Sequence, residues 1–187
     1  MILSTKKIFN KCYGRYGIAA LNVWCMEQVH GLFSAAQKAN APFIVQTTPV
    51  ARNYASAEML LAIISAASKI YPDTVFAVHL DHGNMEHAID SIESGGYNSV
   101  MIDASHESFE RNIELTKKVI ENAFEVMAIE LITVVQAIEY LKAQDKVSSK
   151  TRKLYNEIRE LVPIFTEDVI MYPYVNRVKD YIINNKA

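Results

Sequence analysis

Glycine runs out halfway along this chain. All six glycines lie at or before Gly96, and all five histidines at or before His106. Chemistry that needs an imidazole, or a glycine loop wrapped around a phosphate, is therefore confined to the first part. From Glu107 to Ala143 proline is missing as well, so nothing there forces a helix to stop. Cysteine is as scarce. Cys12 and Cys25 match neither a metal-ligand spacing nor a disulfide framework, and a reduced, cytoplasmic setting is expected. Neither sign of charge dominates: 19 Lys and Arg face 21 Asp and Glu for a net charge of −2. With no basic aromatic stripe, no nucleic-acid partner is expected. Met1 to Lys7 lacks the apolar core of a signal peptide. The longest greasy stretch, Met127 to Leu141, is interrupted by Glu130, Gln136 and Glu139, so no membrane span is expected either.

What is present in the first part is a repeated strand-then-helix unit. Ser4 can cap a short helix to about Tyr13, which Gly14 ends. Gly17 to Val23 reads as a strand and Met26 to Ala39 as a helix. Pro42 opens a second strand, Phe43 to Thr47, where a missing N–H is tolerated, and its helix is expected from Ser56 to Tyr71. The third strand, Thr74 to Leu80, is β-branched and aromatic with few polar groups, as suits burial on both faces. Its helix, Asn84 to Ser94, is stopped by Gly95 and Gly96. Ser99 to Ile102 is the fourth strand. Four βα units in sequence predict an α/β fold with a parallel sheet in chain order, open or curled as part of a barrel.

At the end of the third strand stands His79-Leu80-Asp81-His82-Gly83. A carboxylate and an imidazole lie side by side where a buried strand opens into a loop, the edge on which parallel α/β folds build their sites. Alone, such a pair commonly does no more than cap a strand end. Here it is followed one βα unit later by Ser99-Val100-Met101-Ile102-Asp103-Ala104-Ser105-His106.

The two motifs together, with Ala20-Leu21-Asn22-Val23, Thr47-Thr48-Pro49 and Phe109-Glu110-Arg111-Asn112-Ile113, resemble the class II, zinc-dependent ketose-bisphosphate aldolases. The fructose- and tagatose-bisphosphate branches are both close, over about residues 1–120. The resemblance implies a (βα)8 TIM-type barrel, of which this chain carries about four units, and a phosphorylated sugar as substrate. It implies Asp81 as the acid that protonates the aldehyde oxygen, and His82 as a zinc ligand with Asp103 near the metal. Asn22, Thr48 and Ser105 would lie near substrate. The family also takes histidine ligands and glycine-rich phosphate loops from later strands. None of His30, His79, His87 or His106 stands where those ligands would be, so the catalyst is expected to be incomplete.

The second part has another character. Apolar residues recur at helical spacing from Phe109 to Leu141, predicting one long helix over about Glu107 to Ala143. Ser148 and Ser149 can cap a helix from Lys150 to Leu161, ended by Pro163, and a last helix is expected from about Pro173 to Asn184. Val119-Ile120-Glu121-Asn122, Ala128 to Ile132, Tyr155 to Arg159 with Val162-Pro163, and Tyr172-Pro173 resemble the C-terminal part of histidine and aromatic amino-acid ammonia-lyases, over about residues 117–187. The Ala-Ser-Gly triplet that makes those enzymes' cofactor is absent. The expected organisation is an aldolase-like half-barrel, 1–106, and a helical tail, 107–187. Two functions follow: an aldolase-like lyase, or a non-catalytic oligomeric fusion of the two pieces. Open strand edges and unpartnered apolar faces favour a homo-oligomer in either case.

Overall fold

The computed structural model describes residues 1–185 and contains four strands and eight helices among them. It forms two compact units, residues 1–119 and the helical remainder from Ile120.

In the first unit β1 (Ala19–Asn22), β2 (Phe43–Thr47), β3 (Phe76–Gly83) and β4 (Ser99–Ile102) make one sheet, parallel throughout and in chain order. Helices α1 (Thr5–Cys12), α2 (Met26–Ala39), α3 (Pro49–Ala55), α4 (Ala57–Ile70) and α5 (Met85–Glu93) surround it. Side chains alternate between faces along a strand, and the register shows which go where. Phe43 pairs with Phe76 and Val45 with Val78, and these pack against Val29 and Phe33 of α2 and Ile64 of α4. The Phe33 ring meets Phe43 at 5.1 Å and Phe76 at 4.8 Å between centroids, both edge to face. On the opposite face Ile44 and Ala77 pack against Ile8 and Cys12 of α1. One layer higher on that face the register aligns Asn22, Gln46, His79 and Ser99. An apolar floor thus gives way to a polar row directly beneath the strand ends.

The expected four-stranded parallel sheet is present. Some details differ from the expectation, among them a shorter first strand, Ala19–Asn22 against Gly17 to Val23. Pro49–Ala55 is helical, with Thr48 as its N-cap accepting from Ala51 N at 3.2 Å and proline in its first turn. The third strand starts two residues later than expected and continues through Asp81, His82 and Gly83. The first compact unit runs through Val119. The reason is packing: Val119, in the long helix α6 (Phe109–Tyr140), lies in one cluster with Leu80 and Ala88.

The second unit is helical. The later part of α6, α7 (Ser149–Leu161) and α8 (Tyr172–Asn184) bury Ala128, Ile132, Val135, Ile158, Val162 and Val178. Arg159 donates to Val135 O at 3.1 Å, to Gln136 Oε1 at 3.0 Å and to Pro163 O at 2.9 Å. Its guanidinium thereby ties α7 to α6 and to the chain at Pro163. No helix among the described residues is long and apolar enough to cross a membrane.

Candidate active site

The strands end in polar residues at a common edge. Beyond Leu80 the register of β3 against β4 slips: Leu80 pairs with Val100, but Gly83 pairs with Ile102. Three steps on β3 oppose two on β4, a β-bulge with one extra residue. His82 carries the bulge in left-handed backbone, φ 54°. A residue with a Cβ adopts that conformation at a cost of about 1–2 kcal/mol. Consecutive strand residues normally point to opposite faces, and the bulge breaks that alternation. Asp81 and His82 therefore come together, Asp81 Oδ1 lying 3.9 Å from His82 Nε2.

Asp103 completes the group. Its Oδ2 is 2.7 Å from His82 Nδ1, while its Oδ1 accepts from Ser105 N at 3.0 Å and from Ser105 Oγ at 2.6 Å. The Ser105 hydroxyl, then the imidazole, hold the Asp103 carboxyl far below the usual carboxylate range. An ionised carboxylate only accepts, so Nδ1 of His82 carries the proton. The bond to Asp103, helped by the charge of Asp81, raises the His82 pKa above its ordinary value. With Nδ1 committed, Nε2 is the atom left to act. That is the arrangement in which a carboxylate orients a metal-ligating histidine.

Of the six expected site residues, Asp81, His82, Asp103 and Ser105 are brought together. Asn22 ends β1 in the polar row, and Thr48 follows β2 with its hydroxyl occupied in capping α3. Two neighbours join them, Gln46, which the sequence did not single out, and His79, which stands in the motif but was not expected to act. Gln46 stands in the polar row between Asn22 and His79. His79 is partly buried there, its Nδ1 2.8 Å from Ser99 Oγ, and burial pushes its pKa down. Their shared position at alternate residues before Thr48 and Asp81 was the available signal. Beside the cluster a cleft of about 350 Å³ is lined by Asn84, Glu86, Asp103, Glu107 and Arg111.

The family profile "Fructose-bisphosphate aldolase class-II" matches residues 3–165. This chain belongs to the class II fructose-bisphosphate aldolase family. The fructose-bisphosphate aldolase of Helicobacter pylori is 35% identical over 124 residues, covering 66% of this chain and 40% of the relative. That of Giardia intestinalis is 37% identical over 109 residues, covering 58% and 34%. Among solved structures, the YdjI aldolase of Escherichia coli K12 superposes with a TM-score of 0.58 at 31% identity, covering 65% of this chain and 47% of that one. This family member thus spans 32% to 40% of the length of the curated relatives it matches. The profile match continues through α7 to residue 165, into the segment that had suggested an ammonia-lyase.

The family is one of zinc enzymes by the resemblance drawn above, and the donors here can be tested against that. A catalytic zinc site takes three protein ligands and an open position. Nε2 of His82 suits one such ligand. Among the described residues no group of three or more His, Cys, Asp or Glu side chains is gathered to hold a metal. The described residues of one chain do not make up a complete zinc site.

Proposed function

We propose that the first unit carries one part of an aldol-cleaving site for a phosphorylated ketose, with fructose and tagatose bisphosphates as the candidate substrates, in a reduced, cytoplasmic setting. The observation that carries this reading is the bulge, which sets the Asp81 carboxylate beside a histidine whose proton position is fixed by Asp103. In the cleavage direction Asp81 takes the proton from the hydroxyl next to the breaking carbon–carbon bond. In condensation it returns that proton to the aldehyde oxygen. Asp103 serves as the positioning residue for His82. The Asn22 amide and the Thr48 and Ser105 hydroxyls supply polar contacts for the sugar and its phosphate. No step is assigned to zinc, because among the described residues no three donors are gathered to hold it.

Metal content of the purified protein, measured together with aldol cleavage of fructose and tagatose bisphosphates, tests the proposal. Cleavage that is lost in Asp81→Asn while the fold persists supports it. Wild-type protein without activity on either sugar at any added zinc concentration refutes it.

A second reading draws on the same lack of a three-donor group: a non-catalytic protein in which the helical tail, with its likeness to ammonia-lyase C-termini, serves assembly. Exposed Met127, Ile129 and Val134 on α6 support it. Inactivity combined with stable self-association through the second unit is its signature.

A further inference from the structure

The sheet has two free edges. Among the described residues β1 and β4 each have a single neighbour, and after β4 the chain enters α6 rather than a fifth strand. Successive residues of a strand turn their backbone groups to opposite sides. Val23 N donates to Gln46 O at 3.0 Å, so Ala20 and Asn22, out of phase with it, turn theirs to the free edge. On β4, Asp103 N donates to Gly83 O at 2.7 Å, so Val100 and Ile102 turn theirs outward. All four side chains of β1 are exposed as well. Unpaired rows of this kind are templates for another strand.

We propose that a second copy of this chain closes the sheet, with β4 of each copy pairing in parallel with β1 of the other. Two four-stranded halves then make one eight-stranded barrel. The strand number is that of the fold, eight parallel strands with a shear of about 8. A two-fold axis along the barrel keeps every strand pointing the same way and creates two identical junctions. Each junction therefore carries half the stagger, about four residues.

The aligned row Asn22, Gln46, His79, Ser99 fixes where the stagger falls. Crossing the junction from Ser99 leads to a residue four before or four after Asn22 of the second copy. Four after is Met26, the first residue of α2, which cannot pair. Four before is Ile18, which leads into β1. Val100 then faces Ala19, Ile102 faces Leu21 and Asp103 faces Asn22 of the second copy. The shift is even, so faces match. In each pair one residue turns its backbone groups to the junction and the other away, as a parallel ladder requires. Within one chain Asn22 and Asp103 are three strand spacings apart and offset by four residues along the strand, roughly 19 Å in all. Closure sets Asn22 of the second copy beside the Asp103–His82 pair, so the site is completed in trans. The assembly does not depend on the aldol chemistry proposed above.

Sedimentation of the full chain is expected to give twice 21.1 kDa. In a Cys25→Ser background, Ala19→Cys with Val100→Cys is expected to form a disulfide between copies under diamide. Within a chain those positions are three strands apart, beyond the ~4.4–6.8 Å that a disulfide spans. The unstaggered combination, Asn22→Cys with Ser99→Cys, is expected to stay unlinked. Ala20→Pro removes an outward N–H that no strand of its own chain uses, and is expected to yield a folded monomer. A 21.1 kDa species unchanged on concentration overturns the proposal. So does linking of the unstaggered pair alone, or a dimer that persists in Ala20→Pro. The last measurement stands even where the cysteine variants fail to fold.

Discussion

Gly83→Ala is the sharpest test of how tightly the bulge is held from below. A Cβ built at Gly83 lies 2.4 Å from Leu80 Cδ2, 3.0 Å from Leu80 Cγ and 3.3 Å from His87 Cβ. To restore an ordinary contact the Leu80 methyl must retreat by about 1 Å. Leu80 is fully buried against Ala88 and Val119, so its retreat displaces packed neighbours. Overpacking of this kind costs about 1–3 kcal/mol. For a unit of 119 residues that is a fall in Tm of roughly 4–12 °C. Gly96→Ala provides the control. Its Cβ would come equally close, 2.5 Å from Leu61 Cδ1, but Leu61 is only partly buried and can turn aside. The expected cost there is under about 1 kcal/mol. Thermal unfolding followed by the fluorescence of Trp24, the single tryptophan and a member of the first unit, reads both. Leu80→Val in the Gly83→Ala background should recover part of the loss, a coupling expected of residues in contact. Equal Tm values for the two glycine variants would refute the argument.

Other outcomes follow from the same structure. Because its pKa is raised by Asp103 and Asp81, His82 should titrate by NMR above the ordinary histidine value, and Asp103→Asn should bring it down. The stabilisation from His82 is complete below the unfolded value and is lost as pH rises through the raised one. That from Asp103, whose pKa is depressed, is present above the ordinary carboxylate value and is lost in strong acid; a stability–pH profile of wild type minus Asp103→Asn should thus peak between about pH 4 and 6.5. Phe33→Ala, at a fully buried ring wedged edge-on between Phe43 and Phe76, should cost about 3–5 kcal/mol in denaturant unfolding. Arg52, buried and paired with Asp90 and Ser91, should tolerate Met better than Ala, since methionine refills the apolar volume without leaving a void; equal losses of Tm in the two variants would show that the pairing dominates.

The sheet was legible because its strands are apolar runs punctuated by glycine, proline and polar clusters, and β2, β4 and α2 match their expected bounds. Pro49–Ala55 did not stand out because seven residues are too few to show a helical period, although a threonine followed by proline is also a helix start. The extension of β3 was missed for a more physical reason. Asp, His and Gly have low strand propensity, and only the neighbouring β4 keeps them paired. The clustering of Asp81, His82 and Asp103 was expected from the two motifs, but the orienting role of Asp103 was not. It depends on which imidazole nitrogen the carboxylate reaches, and no residue spacing carries that. Val119, by contrast, belongs to the first unit through contacts with Leu80 and Ala88 that only folding brings together.

The bulge at His82 also separates two inheritances within one strand. Up to Leu80 the alternation of β3 answers to the core, and an inserted or deleted residue would turn Phe76 and Val78 out of it. Past the bulge the phase is reset, and the orientation of Asp81 and His82 answers to β4 and Asp103 instead. Substitutions at Phe76, Val78 and Leu80 are therefore constrained by packing, and those at Asp81 and His82 by the cluster with Asp103. The boundary between the two regimes is a single left-handed residue.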